Sequence, residues 1–244
     1  MVWRWKIAIG ATIVAVAGAG VGYLYFREYE PNRSRFPVRG IDVSHHQGAI
    51  DWTAVVADDV AFAYAKVSEG GDHRDREFRR NIAEANRLGL PIGAYHFFTF
   101  CRPGADQARN FVDAMSAGPL QLPPVVDLEL HGNCDRRPTS DEMALEIEVF
   151  LDIVEGRVGR TLVYYAPDEF LEAYGAALPP RPLWRRSILE EPGRGDWVIW
   201  QYHPAGRVAG IDGDVDLNVL SVGIDELIAL GEPRGSPVVP ERGR

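Results

Sequence analysis

Residues 123–130 read PPVVDLEL, a short apolar run that carries two carboxylates, Asp127 and Glu129. Paired valines behind prolines favour extended chain. Side chains two apart on a strand share a face, so both acids point the same way. An unpaired carboxylate in an apolar run is costly to bury, so the pair calls for a reason beyond packing.

Working outward, similar β-branched and aromatic runs recur on both sides. Gly40–Ser44, Val60–Val67 and Ile92–Phe98 precede Pro124–Leu130; Thr161–Tyr165, Leu183–Ile188, Trp197–Tyr202 and a stretch near Val215–Leu217 follow it. Helical periodicity occupies the gaps between the early runs: Asp51–Ala57, Arg74–Leu88, Ala105–Met115, Ser140–Val154 and Pro167–Tyr174. Ser140–Val154 is the strongest, with Thr139 or Ser140 to cap it and an apolar stripe through Met143, Ile147, Phe150 and Val154. Alternating strands and helices predict βαβ units and a mostly parallel sheet. After Tyr165 the helices shrink, and the last strands follow closely on one another. The chain has 244 residues, 46% hydrophobic and 25% charged, which suits one α/β barrel and excludes wholesale disorder.

The formal net charge is -9, so the basic footprint that nucleic-acid binding requires is missing. Residues 1–26 hold Arg4 and Lys6 and no acid. Residues 7–26, IAIGATIVAVAGAGVGYLYF, form an uncharged 20-residue run, the length of a bilayer core. Trp3, Trp5, Tyr23, Tyr25 and Phe26 flank it as interfacial aromatics do. The expectation is a basic cytoplasmic end at 1–6 and a transmembrane anchor in the inner membrane at 7–26. A polar linker at 27–39, an exported barrel at 40–230 and a disordered tail at 231–244 complete the layout. The barrel would be periplasmic or extracytoplasmic; signal cleavage after Ala15-Val16-Ala17, giving a secreted protein, is the rival. In an exported protein two cysteines, Cys101 and Cys134, read as one disulfide, with two free thiols as the alternative. Nothing requires more than a monomer.

Acids gather where strand-like runs end: Asp42, Glu69, Asp127, Glu129 and Asp216. In a parallel barrel all C-terminal strand ends open on one face, so these residues converge. Paired carboxylates in a cleft suit glycoside cleavage, one held protonated as the acid and the other stabilising positive charge at the anomeric carbon. Aromatic residues near strand ends, Tyr95, Phe97, Tyr165, Trp184, Trp200 and Tyr202, could carry sugar rings or simply fill the barrel. His45, His46, His96 and His131 fall in the same region and open a second reading, a metal-dependent hydrolase. A non-catalytic wall-binding barrel is a third.

The runs GIDVSHHQGAIDW (40–52), AYAKVSEG (63–70), PIGAYHFF (91–98), PPVVDLEL (123–130) and WQYHPAGRVAGIDGDVDLN (200–218) resemble glycoside hydrolase family 25, the Chalaropsis-type lysozymes. The resemblance runs in order from Gly40 to about Leu220. It implies a TIM-like (β/α)5(β)3 barrel and a peptidoglycan muramidase that hydrolyses the β-1,4 bond from N-acetylmuramic acid to N-acetylglucosamine without a cofactor. On the matching positions it implies Glu129 as general acid and Asp127 as partner carboxylate, orienting the substrate's N-acetyl group. Asp42 and Asp216 would be the other two catalytic acids. His96, Trp200 and Gln201, with Tyr165 and Glu69, would bind substrate. The chain departs from the family pattern at LWRRSILEEP (183–192), where Arg185 and Arg186 stand in place of more aromatic residues.

Overall fold

The computed structural model describes residues 2–193 and 197–230, with backbone alone for residues 2–11 and 13–15. The tail at 231–244 lies outside the described residues, as does Met1. Every strand-like run forms a strand: β1 (Arg39–Val43), β2 (Phe62–Glu69), β4 (Ile92–Phe97), β5 (Val125–Asp127), β6 (Val163–Tyr165), β7 (Leu183–Arg186), β8 (Trp197–Gly206) and β9 (Val215–Leu220). A two-residue strand, β3 (His73–Arg74), pairs with the end of β2. The order β1-β9-β8-β7-β6-β5-β4-β2 closes on itself through β1–β2 pairing, giving an eight-stranded barrel.

Five helices separate the first six barrel strands: α2 (Trp52–Ala57), α3 (Phe78–Arg87), α4 (Gly104–Met115), α5 (Ser140–Val158) and α6 (Asp168–Tyr174). Among the described residues no helix lies between β7, β8 and β9, so the layout is five strand–helix units followed by three strands. Helix α5 starts in a capping box, Thr139 Oγ1 accepting from the Glu142 N–H and Glu142 accepting from the Thr139 N–H, and ends at Gly159 with φ 69°. Helix α3 begins later than Arg74, because Arg74 is committed to β3 and the Asp75 carboxylate accepts from the backbone of His45 and Glu77. Helix α7 (Ile224–Leu230) closes the described chain.

Strand parity sorts the side chains into two cores. Phe62, Tyr64, Val125, Val163, Tyr165, Trp184, Ile199 and Leu220 fill the barrel interior. Ile41, Val43, Ala63, Ala65, Val67, Val126, Tyr164 and Trp200 face outward into a larger core that includes Ile82, Phe111, Ile147 and Phe150 from the helices. Two glycines admit the interior rings. A Cβ on Gly40 or Gly93 would stand 2.3 Å from the ring of Phe62 or Tyr64.

One strand runs against the expectation of convergent C-terminal ends. β9 is antiparallel to both neighbours, β8 and β1. It therefore brings its N-terminal residues to the mouth, and Asp216, second in the strand, arrives there by the reversed direction.

The segment at 27–39 is a folded part of the barrel wall rather than a free linker. Phe36 is buried, its ring 5.6 Å from Trp200 and 5.9 Å from Trp197. Arg35 pairs with Glu191, and Arg39 with Glu30 at 3.0 Å. The segment before it is helical, α1 (Val2–Arg27). Its last turn is tied to β8, where His203 Nε2 lies 2.8 Å from the Phe26 carbonyl and the two rings meet, tilted by 39°, with centroids 4.6 Å apart. Among the described residues no helix is long and apolar enough to cross a membrane.

Candidate active site

Inward positions on successive strands build one end of the barrel into a cavity of about 160 Å³. It is lined by Asp42, Tyr95, Asp127, Glu129, Tyr165, Trp184, Arg186, Gln201 and Asp216 among others. A second cavity of about 220 Å³ shares Asp42, Tyr95, Asp127 and Asp216 with it, and adds Ser44, His46, Gln47, Lys66 and Phe97. The two adjoin at these shared residues and together are the groove.

Asp42 and Asp216 sit directly opposite each other on β1 and β9. Two like charges at one register position repel, and burial adds to the cost of ionising both. Asp42 Oδ2 accepts from Asn218 Nδ2 at 2.7 Å and from Gln201 Nε2 at 3.2 Å. Each amide is itself aimed by a further donor: Trp184 Nε1 donates to Asn218 Oδ1 at 2.9 Å, and the Tyr165 hydroxyl to Gln201 Oε1 at 2.9 Å. Burial pushes Asp42 up to about 6 against the pull of those donors. Asp216 has no such amides; burial and then the charges of Asp42 and Glu129 push it up to about 9. The amides thus favour the charge on Asp42 and the proton on Asp216.

Asp127 and Glu129 also share the groove, as strand parity requires. Only Asp127 lies in regular β5; Glu129 follows it, with the ladder continued by the Leu128 N–H donating to the Tyr165 carbonyl at 2.9 Å. Asp127 is 7% exposed, and its Oδ1 has no hydrogen-bond partner among the described residues. Burial, then the Glu129 charge, holds it well above the usual carboxylate range, with Lys66 opposing. Glu129 is raised by burial, while the Arg186 guanidinium pulls the other way. Its backbone is fixed from behind by Asn133, whose Nδ2 donates to the Glu129 and Phe98 carbonyls at 3.0 and 2.8 Å. The Cys101–Cys134 disulfide ties the same two loops together.

Tyr165 and Gln201 line the groove as expected. Glu69 stands beside it and holds Lys66 at 2.6 Å instead of lining it. His96 and Trp200 do not reach the groove, because they have the opposite parity to Tyr95 and Gln201. His96 is fully buried in the helix layer, its Nδ1 2.8 Å from Ser68 Oγ and its ring against Phe111 and Phe150. Burial lowers it to about 3, so it is a neutral core histidine. Trp200 packs on Phe36 and donates to the Ser187 carbonyl at 2.7 Å.

The other histidines do not converge either. His45 Nδ1 is paired with the buried Asp75 at 3.0 Å, His46 lines the second cavity and His131 is exposed. Among the described residues no three His, Cys, Asp or Glu side chains are placed to share a metal ion. Lys66, Asn218 and Gln47 were not legible as site residues by type. Counting by twos from Tyr64 or Asp216 finds the first two.

Residues 41–211 match the family described as glycosyl hydrolases family 25. Lysozyme M1 of Streptomyces globisporus is 33% identical over 211 residues, covering 79% of this chain and 71% of that protein. A family 25 glycosyl hydrolase from Bacillus anthracis superposes with a TM-score of 0.75 at 31% identity, covering 84% of this chain and 98% of that one. The bacterial lysozyme from Streptomyces coelicolor gives 0.69 at 31% identity, over 79% and 96%. With a match that runs from the first barrel strand to beyond β8, the chain belongs to glycosyl hydrolases family 25 and is a glycoside hydrolase.

Proposed function

We propose that the protein is a peptidoglycan muramidase that hydrolyses the β-1,4 bond between N-acetylmuramic acid and N-acetylglucosamine. Glu129 is the general acid and Asp127 its partner. The observation that carries this reading is the buried Asp127 Oδ1 without a partner, in the same cavity as a second carboxyl whose acidity burial weakens. An amide N–H is the donor such an oxygen lacks, and a hydrogen bond of that kind favours the ionised form. The N-acetyl group of a bound amino sugar supplies one.

Asp127 then holds the acetamido group with its carbonyl oxygen at the anomeric carbon. Glu129 gives its proton to the leaving oxygen as the glycosidic C–O bond breaks and the acetamido oxygen bonds to the anomeric carbon. The Glu129 carboxylate so formed takes a proton from the water that opens this intermediate, which regenerates the acid and frees the sugar. Asp42 and Asp216, with one proton between them, face the same groove and bind sugar hydroxyls. Lysozyme M1 and the lysozyme of Streptomyces coelicolor support peptidoglycan as the polymer.

The uncharged run at 7–26 supports an anchored protein with the barrel on the outer side of the inner membrane. Because Phe26 is bonded to His203, the barrel would sit directly at the end of that helix.

The test is mass spectrometry of fragments released from purified peptidoglycan. Fragments with N-acetylmuramic acid at the reducing end are expected from the wild type, and a loss on the order of 10² or more from Glu129→Gln. Binding without released fragments would overturn the enzymatic reading in favour of a wall-binding barrel.

A further inference from the structure

Arg186 is the cation that the departure from the family pattern puts at the acid. It lines the catalytic cavity, and its guanidinium is forked: Nη1 lies 3.3 Å from Glu129 Oε2, and Nη2 lies 2.9 Å from Glu169 Oε1. The two carboxylates differ in setting. The Glu129 side chain is 17% exposed and Glu169, in the first turn of α6, is 44% exposed. The neighbouring residues repeat the pattern, Arg185 pairing with Asp168. Two consecutive arginines of β7 thus clamp two consecutive acids of α6, and only the second reaches on to Glu129.

We propose that Arg186 is a positioning residue for the glycosidase reaction: its guanidinium, shared between Glu129 and Glu169, holds the Glu129 carboxyl at the groove wall and tunes the strength of that acid through the balance between its two partners. This rests on the reading of Glu129 as the general acid.

The charge balance follows from the groups around Glu129. Asp127 stands beside it on the same strand run, Asp42 and Asp216 share the groove with it from β1 and β9, and Tyr165 and His131 lie close by. Burial and then the charges of Glu169 and Asp42 disfavour the Glu129 carboxylate, and unopposed they would make it too weak an acid to give up its proton readily. A guanidinium is always charged, and within hydrogen-bond reach it favours the ionised carboxylate. Glu169 draws the same guanidinium away and adds its own negative charge, so it acts in the opposite direction. The planar fork allows one cation to serve both; an ammonium has the charge without the geometry.

Opposite partners give opposite signs. A general acid works while protonated, so activity falls on the alkaline side as pH passes its pKa. Arg186→Met removes the favouring cation, and the alkaline limb of kcat moves up by about one pH unit. Its plateau falls roughly tenfold as the carboxyl loses its anchor. Glu169→Gln leaves the guanidinium to Glu129 alone, and the limb moves down by roughly half a unit. Arg186→Lys keeps the limb near the wild-type position and recovers part of the plateau. A structural role alone would lower activity in these variants without moving the limb in opposite directions.

The experiment pairs pH–rate profiles on purified peptidoglycan with ¹³C NMR titration of the Glu129 carboxyl in the substrate-free protein. If the wild type releases no fragments, the muramidase reading fails, yet the titration still reads the three-residue balance. If Arg186→Met does not fold, Glu169→Gln is read against the wild type alone, and a Glu129 titration that stays in place or moves up overturns the proposal. An unmoved Glu129 titration, or shifts of the same sign in Arg186→Met and Glu169→Gln, would overturn the proposal.

Discussion

Replacing Asp216 by Asn should stabilise the protein at neutral pH while impairing it as an enzyme. Asp42 and Asp216 are register partners on adjacent strands, and the second is raised by burial and by its neighbours' charge to about 9. An unfolded Asp titrates near 3.9. Below that value both states bind the proton and the site costs nothing. Between about 4 and 9 the folded state keeps a proton that the unfolded chain gives up, so stability is lost steadily as pH rises. At pH 7 the gap is about 3 units, or about 4 kcal/mol as a ceiling at 1.36 kcal/mol per unit. Half of that, about 2 kcal/mol, is a fair value for a site at an open groove, where the effective dielectric is high. An Asn at this position keeps a donor for Asp42 and removes the titration. Its melting temperature should exceed the wild type's by about 4–8 °C at pH 7, with the difference near zero at pH 4 and growing toward pH 8. Thermal melts across that range decide the matter. A variant that melts at or below the wild type at pH 7, or a difference that stays flat with pH, would refute the shared-proton account.

Two further predictions bear on the frame around the site. Replacing Cys101 and Cys134 by Ser opens a bridge across 33 positions and should cost about 3–4 kcal/mol by chain entropy, read as a lower urea midpoint with a steeper slope, because the unfolded chain is less compact without the bridge. Since the bridge also ties down the loop behind Glu129, kcat should fall while the alkaline limb stays in place. His96→Leu strands the buried Ser68 hydroxyl, while Gln107 Oε1 keeps the Thr99 N–H, at a cost of about 1–3 kcal/mol. KM for soluble glycan fragments should remain within about threefold of wild type, and a larger rise in the folded variant would return His96 to the groove.

The architecture was largely legible in the sequence because barrel strands and amphipathic helices have different hydrophobic periods. Thr139, Glu142 and Gly159 mark the two ends of α5 by local chemistry alone, so its start was readable without tertiary information. Arg74 could not be placed that way. Its pairing with Ser68 in a two-residue strand is a contact made by the fold, and no periodic signal extends over two residues. The same holds for 27–39. Its charges and prolines look like a solvated linker, but one aromatic ring, Phe36, finds a slot between two tryptophans from β8, and single anchors leave no pattern.

The site was legible to the extent that its members are acids in apolar strands, and it was missed where side-chain type was allowed to outrank strand parity. His96 and Trp200 are residue types that suit a sugar groove, yet each neighbours an inward residue and so must face out. Applied strictly, alternation from Asp127 to Glu129, Trp184 to Arg186, Tyr64 to Lys66 and Asp216 to Asn218 recovers four strands' contributions and rejects both outsiders. It also explains why arginine is tolerated at the end of β7. Its inward position faces several buried carboxylates, where an apolar side chain would leave that charge without a counterpart, and a guanidinium answers it with a hydrogen bond to Glu129. The placement of acids across the mouth thus demands cations at neighbouring inward positions, and Lys66 and Arg186 occupy two of them.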